Sequence, residues 1–201
     1  MFPIARLNEE EKYAHELLQC PRLDHIAWVV PNIDSKIEKL KATGFEIGKA
    51  NFFDEEGTKE VYIGEEGRTR RLLLIQAVKE GPYLNWVNRR GFGLHHLGLS
   101  VENMQQFENK ISALNWTEHP KSVANSFHGT RYWFKKGVCN LLEVSERPCE
   151  PITPLQPVIN HIHIKQDFSF ESQSHFLGIK NVFLGEKSEV LFSSGLILDT
   201  E

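Results

Sequence analysis

The sequence lacks three features that would place it in a specialised class: a basic excess, paired cysteines and an apolar leader. Its 23 Lys and Arg residues are outnumbered by 27 Asp and Glu residues, which argues against nucleic acid as a partner. The three cysteines form no CxxC pair, which argues against a disulfide framework and a thiolate zinc site. The start of the chain turns acidic within ten residues and has no long apolar core, so we expect no signal peptide, no membrane span and a cytoplasmic protein.

What is present is an ordinary globular composition of 201 residues, of which 40% are hydrophobic and 25% charged. We expect a helical N-terminal extension over residues 1–21, a main domain over 22–147 and a proline-rich C-terminal segment over 148–201. The stretch INHIHIK in that last segment is similar to the opening of the main domain. It predicts a partial third module that covers a sheet edge or builds a homodimer, the alternatives being a second metal site or a longer chain of four modules.

The main domain repeats one order of elements. LDHIAWVV alternates as a strand does, NIDSKIEKLKATGF has apolar residues at helical spacing, and three further strands follow. The order returns with LHHLGLSV, the helix NMQQFENKISALNW and a hairpin that ends in CNLLEVS. Two βαβββ units of about fifty to sixty residues each predict an α+β fold with two pseudo-symmetric halves.

Polar residues occupy matching places in the two units. His25 and His96 lie 71 residues apart (96 minus 25), and Gln76 and Glu143 lie 67 apart (143 minus 76) on the closing strands. Because side chains alternate faces along a strand, we expect His96 on the working face and His95 on the bulky opposite face. An unpartnered amide on so apolar a strand costs about 1–3 kcal/mol, and a carboxylate costs more.

One divalent metal ion is a partner that suits all four side chains. Two neutral imidazoles, an amide oxygen and a carboxylate favour cobalt, nickel, manganese, iron or zinc over calcium. The competing interpretation is that His25 and His96 are core histidines bonded to the backbone. Four polar residues at symmetric positions favour the metal site, with His25, Gln76, His96 and Glu143 as ligands and a small-molecule substrate beside them.

Three motifs together resemble the vicinal oxygen chelate superfamily, which includes glyoxalase I, extradiol dioxygenases, bleomycin-resistance proteins and methylmalonyl-CoA epimerase. They are LDHIAWVVPNID, GFGLHHLGLSVENM and VCNLLEV. The resemblance implies two βαβββ modules whose sheets form an open barrel around a metal ion. The set of His, Gln, His and Glu is similar to that of the epimerases, whereas the iron dioxygenases use two His and one Glu, so Gln76 is the discriminating residue.

The resemblance further implies an enzyme that stabilises an enolate of a carbonyl or thioester substrate, as an epimerase, an isomerase or a glyoxalase-like lyase does. Glu55, in the acidic loop DEEG, resembles the base of the epimerases, with Glu56 as its neighbour, and Glu143 is a catalytic candidate besides being a ligand. Five aromatic residues are candidates for the substrate pocket: Trp28, Phe53, Tyr62, Tyr83 and Trp133. The alternatives are a non-catalytic protein that binds a small molecule and an extradiol-type dioxygenase.

Overall fold

The structure is a computed structural model that describes residues 21–42, 44–64, 71–120, 122, 129–135, 141–148, 159–165, 182–185, 189–192 and 197–199. The expected N-terminal helix and most of the proline-rich segment lie outside these residues. Within them, no helix is long and apolar enough to cross a membrane.

Two βαβββ units form the main part of the molecule, which confirms the predicted α+β fold. The first unit consists of β1 (Arg22–Val29), α1 (Ile33–Lys41), β2 (Asn51–Phe53), β3 (Thr58–Ile63) and β4 (Arg71–Ala77). A connecting helix follows, α2 (Pro82–Arg90). The second unit consists of β5 (Gly93–Val101), α3 (Met104–Ala113), β6 (Thr117–Glu118), β7 (Thr130–Phe134) and β8 (Leu141–Glu146). The sequence reading missed α2, although Pro82 in its first turn and Gly91 after its end are typical helix boundaries.

The eight strands form one open sheet in the order β2-β3-β4-β1-β5-β8-β7-β6. At its centre β1 and β5 pair antiparallel, and each of them is parallel to the closing strand of its own unit, β4 or β8. The two halves of the sheet therefore mirror each other in order about the β1–β5 pair. This arrangement confirms the predicted open sheet built from two units.

The two faces of this sheet are covered differently. On one face α1 and α3 pack over a large apolar core that includes Trp28, Ile33, Leu40, Leu74, Leu97, Phe107, Ile111 and Leu142. The other face carries a smaller cluster in which Tyr83 of α2 packs with Ala27, Val29, Leu73 and Ile75. This second face also carries the polar side chains of interest, because strand alternation places His25 on the side of Ala27.

The two helices that cover the core begin in the same way. Asn32 caps α1 and Asn103 caps α3, each accepting a hydrogen bond of 2.9 Å from the amide three residues later. A second acceptor comes from the closing strand of each unit, where Gln76 Oε1 and Glu146 Oε2 each accept the first backbone N–H of the helix at 2.9 Å. Gln76 and Glu146 are therefore equivalent residues of the two units.

The C-terminal strands form a second sheet. β9 (Ile159–Lys165), β10 (Val182–Gly185), β11 (Glu189–Phe192) and β12 (Ile197–Asp199) pair in the order β10-β9-β11-β12. In the described part of the chain these strands pair only with one another. Val190 on β11 is buried within the same apolar cluster that α1 and α3 cover, which connects this sheet with the main core.

Candidate metal centre

Three of the predicted ligands meet in the middle of the large sheet. His25 on β1, His96 on β5 and Glu143 on β8 offer one ligand atom each, and these atoms lie within 4.8 Å of one another. The distance from His25 Nε2 to His96 Nε2 is 3.1 Å, and that from His96 Nε2 to Glu143 Oε2 is 3.5 Å. Both imidazoles are buried, whereas the Glu143 side chain is 25% exposed, so the group is open on one side.

The register of three neighbouring strands brings these residues together. His25 is opposite Gly98 on β5, and Gly98 is opposite Glu143 on β8, so the three residues form one row across the sheet. His96 lies in the next row, opposite Ala27. A Cβ atom at Gly98 would overlap the His25 ring. Glycine at this position therefore leaves the space through which the imidazole reaches across β5.

At its Nδ1 atom, each imidazole contacts the side chain of the residue that precedes it in the chain. Asp24 Oδ2 lies 2.9 Å from His25 Nδ1, and His95 Nδ1 lies 2.9 Å from His96 Nδ1. Burial raises the pKa of Asp24, but the hydrogen bond to His25 and the positive charges around the carboxylate, those of Arg147 and Arg71 included, outweigh burial and lower that pKa overall. An ionised Asp24 accepts the Nδ1–H of His25, which leaves the Nε2 lone pair directed into the cluster.

His95 lies where strand alternation did not predict it. The pairing register shifts between Ala27 and Trp28, which makes His95 the extra residue of a β-bulge. Its ring packs on α2, with its centroid 4.6 Å from that of Tyr83 and 5.0 Å from that of Trp86. The expectation that His95 points to the bulky face was wrong, because the two-residue period fails at a bulge.

The geometry of the three side chains fits a divalent ion. Imidazole nitrogens bind divalent ions at about 2.0–2.1 Å, so one ion could contact both Nε2 atoms, which are 3.1 Å apart. Two imidazoles and one carboxylate also form a donor set that first-row divalent metals accept. His25, His96 and Glu143 are therefore the residues that would hold the metal ion.

Gln76 lies elsewhere. It sits on the opposite face of β4, where its Oε1 accepts the first N–H of α1. The residue of β4 that pairs with Ala27 is Leu73, just as Glu143 is the residue of β8 that pairs with Gly98. Leu73 thus has the place in the first unit that Glu143 has in the second, and the two are 70 residues apart (143 minus 73) rather than 67.

The remaining candidates divide into two groups. Tyr62 and Tyr83 lie on the face of the metal centre, where Tyr62 meets the His25 ring edge-on at a centroid distance of 5.8 Å. The other four lie away from it: Trp28 and Trp133 are buried in the core under α1 and α3, and Phe53 and Glu55 are exposed at the end of β2 and in the turn after it.

The structure adds a carboxylate that sequence reasoning missed. Glu60 on β3 is half-buried and shares the face of His25 through the pairing of β3, β4 and β1. Burial raises the pKa of Glu60, and the charges of Glu56 and Glu143 raise it further, against the hydrogen bond from Thr58. A carboxylate with a raised pKa beside such a centre is suited to accept a proton. The sequence signal is the polar residue within the alternating strand TKEVYI.

Comparisons with known proteins agree with this fold. The family model of the glyoxalase/bleomycin resistance protein/dioxygenase superfamily matches residues 24–134, more than half of the chain. A search among curated proteins found no match.

Similar solved structures include a hypothetical protein of Bacillus halodurans at 16% identity and a TM-score of 0.50, covering 66% of this chain and 99% of that one. A selenomethionine methylmalonyl-CoA epimerase has 18% identity and a TM-score of 0.50, with 65% and 98% covered. A Streptomyces coelicolor methylmalonyl-CoA epimerase in complex with 2-nitronate-propionyl-CoA has 22% identity and a TM-score of 0.48, with 64% and 99% covered. At these identities the likeness concerns the fold alone. On the family match, the chain belongs to the glyoxalase/bleomycin resistance protein/dioxygenase superfamily.

Proposed function

We propose that this protein is a metal-dependent enzyme that moves a proton next to a carbonyl or thioester group of a small molecule, as an epimerase, an isomerase or a glyoxalase-like lyase does. The observation that carries the proposal is the position of Glu60, a half-buried carboxylate on the same sheet face as His25, His96 and Glu143. A divalent ion held by those three residues supplies positive charge that polarises the carbonyl and stabilises the negative charge that develops on it.

Glu60 is the residue we assign as the proton acceptor. The other carboxylates near the centre have partners there, because Asp24 binds His25 and Glu143 lies against His96. The Thr58 hydroxyl donates to Glu60 Oε1 at 2.8 Å, which orients the carboxylate and leaves its second oxygen for the substrate. The raised pKa of Glu60 means that it holds an abstracted proton more firmly than an exposed carboxylate does.

Two tyrosines complete the binding face. Burial raises the pKa of Tyr62 to about 12 and that of Tyr83 well above its ordinary value of 10. Both phenols are therefore neutral at physiological pH, so they serve as hydrogen-bond donors and apolar surface rather than as bases. Tyr83 also fixes α2 over this face, where the helix shields part of it from water.

The first experiment is the metal content of the purified full chain by elemental analysis after reconstitution with zinc or cobalt. We expect about one equivalent in the wild type and in His119→Ala, a histidine away from the centre, and almost none in His96→Ala. Equal metal content in His96→Ala and the wild type would remove the site assignment. A wild type that stays empty would favour a protein of the same fold that only binds a small molecule.

The second experiment is solvent deuterium exchange into acyl-CoA thioesters and hemithioacetals by the metal-loaded chain. We expect Glu60→Gln to retain the metal and to slow exchange by about 10²–10⁴-fold, the usual contribution of one general base. The matched control is Glu55→Gln, because Glu55 is exposed in the turn after β2. Loss of exchange in Glu55→Gln but not in Glu60→Gln would show that the proton acceptor is Glu55 in the turn and not Glu60.

One observation favours a second candidate, an extradiol-type dioxygenase. With Leu73 in the place equivalent to Glu143, the ligands that the cluster offers are two histidines and one carboxylate, a set that non-haem iron(II) oxygenases use. Oxygen uptake by the iron(II)-loaded chain with catechols separates the two candidates. Uptake without deuterium exchange supports the dioxygenase, and exchange under anaerobic conditions supports proton transfer.

A further inference from the structure

One guanidinium nitrogen of Arg71, the first residue of β4, has no hydrogen-bond partner. Among the described residues Arg71 alone has a buried side-chain nitrogen without a hydrogen-bond partner, its Nε atom. The residue as a whole is only half-buried, so part of its side chain is open to solutes. Withdrawing a cation from water without an anionic partner is unfavourable. The charge of Arg71 helps to lower the pKa of Asp24, but no carboxylate of the described residues accepts a hydrogen bond from the buried Nε atom, so the guanidinium can still bind an anion.

Arg71 lies beside the metal centre. It is the direct neighbour of His25 across the β1–β4 pair, so both side chains lie on the same face of the sheet. The guanidinium carbon stands 4.0 Å from the centroid of the Tyr62 ring, and that ring meets His25 edge-on. Stacking on Tyr62 fixes the plane of the guanidinium and leaves its edge as a rigid fork of donors.

The charge around Arg71 adds to this argument. Asp24, Glu60 and Glu143 make the face acidic, which disfavours an anionic substrate unless a cation offsets them. The position equivalent to Arg71 in the second unit is Leu141, which pairs with His96 as Arg71 pairs with His25. The described strands of the second unit therefore have no cation at the place that Arg71 holds in the first.

We propose that Arg71 binds a carboxylate of the substrate, so that the protein acts on an acidic small molecule whose reacting carbonyl lies at the metal centre. A carboxylate offers two oxygen atoms in one plane, which matches the two-donor edge of a guanidinium. The position of the reacting carbonyl rests on the proposed function. The anion site itself rests on Arg71 and Tyr62 alone, so the two can be tested separately.

The test is a calorimetric titration of the zinc-loaded full chain with malonate, succinate and glutarate, and with acetate as the ligand that has one carboxylate. We expect at least one dicarboxylate to bind the wild type about tenfold or more tightly than acetate, because it reaches both the metal centre and Arg71. Arg71→Met loses that advantage, and Arg71→Lys keeps part of it. Arg89→Met, which removes an exposed arginine of α2, behaves as the wild type.

The proposal is overturned if Arg71→Met binds the dicarboxylates as the wild type does, or if the wild type binds none of them more tightly than acetate. Inorganic phosphate is titrated in parallel, and tighter binding of phosphate that Arg71→Met abolishes would overturn carboxylate as the ligand. Zinc content should be equal in Arg71→Met and the wild type. If the wild type takes up no zinc, the proposed function fails, and malonate titration of the metal-free wild type and Arg71→Met still decides the anion site.

Discussion

The two βαβββ units share one scaffold but contribute different side chains to the candidate site. Each unit contributes a central histidine, His25 or His96, and each begins its helix with an asparagine cap and a second acceptor from its closing strand. Each also has a tyrosine opposite the same position of that strand, since Tyr62 pairs with Leu73 and Tyr132 pairs with Glu143. What the repeat preserves is therefore the frame and the two central histidines.

Three differences between the units lie on the face of the candidate metal centre. The second unit has the ligand Glu143 where the first has Leu73, and the first has Glu60 on the strand where the second has Thr130. Arg71 likewise occurs in the first unit only. On the proposed function, the second unit is specialised for holding the ion and the first for holding and deprotonating a substrate, which a strictly symmetric pair could not achieve.

Removing the ligand that distinguishes the second unit should have the largest effect. Glu143→Leu gives β8 the residue that β4 has at Leu73, and it leaves two imidazoles without a carboxylate. We expect the affinity for zinc to fall by more than about 100-fold, since even residues behind the ligands are worth 10–100-fold. Competition with a chromophoric chelator measures this, and Glu102→Leu, at an exposed position after β5, is the control. An affinity within a few-fold of the wild type would contradict the assignment.

Exchanging the small residues of the central strands tests the packing of His25. Gly98→Ala places a Cβ atom in the His25 ring, so we expect the free energy of unfolding to fall by about 1–3 kcal/mol, as overpacking does, and zinc binding to weaken. The equivalent residue of the first unit is Ala27, 71 residues earlier, and Ala27→Gly should cost only about 0.5–1 kcal/mol and retain the metal. Urea unfolding and zinc titration compare the two. Full stability and zinc affinity in Gly98→Ala would refute the contact.

The helix acceptors should behave alike in both units. Gln76→Leu and Glu146→Leu each leave the first N–H of a helix without its side-chain partner, so each should lower the free energy of unfolding by about 1 kcal/mol. Neither should change the zinc affinity of the folded protein. Loss of zinc in Gln76→Leu alone would show that Gln76 is a metal ligand after all and would break the equivalence with Glu146.

The repeat and the three residues of the cluster could be predicted from the sequence, because hydrophobic alternation along a strand is a local property. The alternation holds from His25 onward in β1 and from His96 onward in β5, and Glu143 stands within β8. Gln76 could not be placed in this way. Pairing it with Glu143, because both are polar, shifts the alignment of the two units by three residues, and its actual partner is the start of α1, which is distant in the chain. The face of His95 was predicted wrongly because the β-bulge at this residue arises from the pairing of β5 with β1, which the local sequence does not show.

Glu60 and Arg71 were missed for a different reason. Each is an ordinary charged residue at a strand position, and charged residues on strands are usually solvated. Their importance comes from the pairing of β3 and β4 next to β1, which half-buries both beside His25. Burial and the missing partner of Arg71 are properties of the assembled sheet, so no local pattern in the sequence reports them.

The smallest effect we expect is a gain in stability from Glu60→Gln in the metal-free protein. Burial raises the pKa of Glu60 above its ordinary value of 4.5, so the folded state binds the proton more tightly than the unfolded state does. The wild type therefore loses stability as the pH rises from about 4.5 through the raised pKa, and the glutamine variant, which has no proton to lose there, does not.

Urea midpoints of the two proteins should therefore be equal near pH 4, whereas near pH 7 the variant should have the higher midpoint. Glu55→Gln, exposed in the turn after β2, should show no such difference. A gain of the same size at both pH values would mean that packing, not charge, separates Glu60→Gln from the wild type. A gain that grows with pH would mean that the first unit retains a carboxylate that weakens its fold, whereas the second unit has the uncharged Thr130 at the equivalent position. Such a residue is expected where function, not stability, determines the side chain.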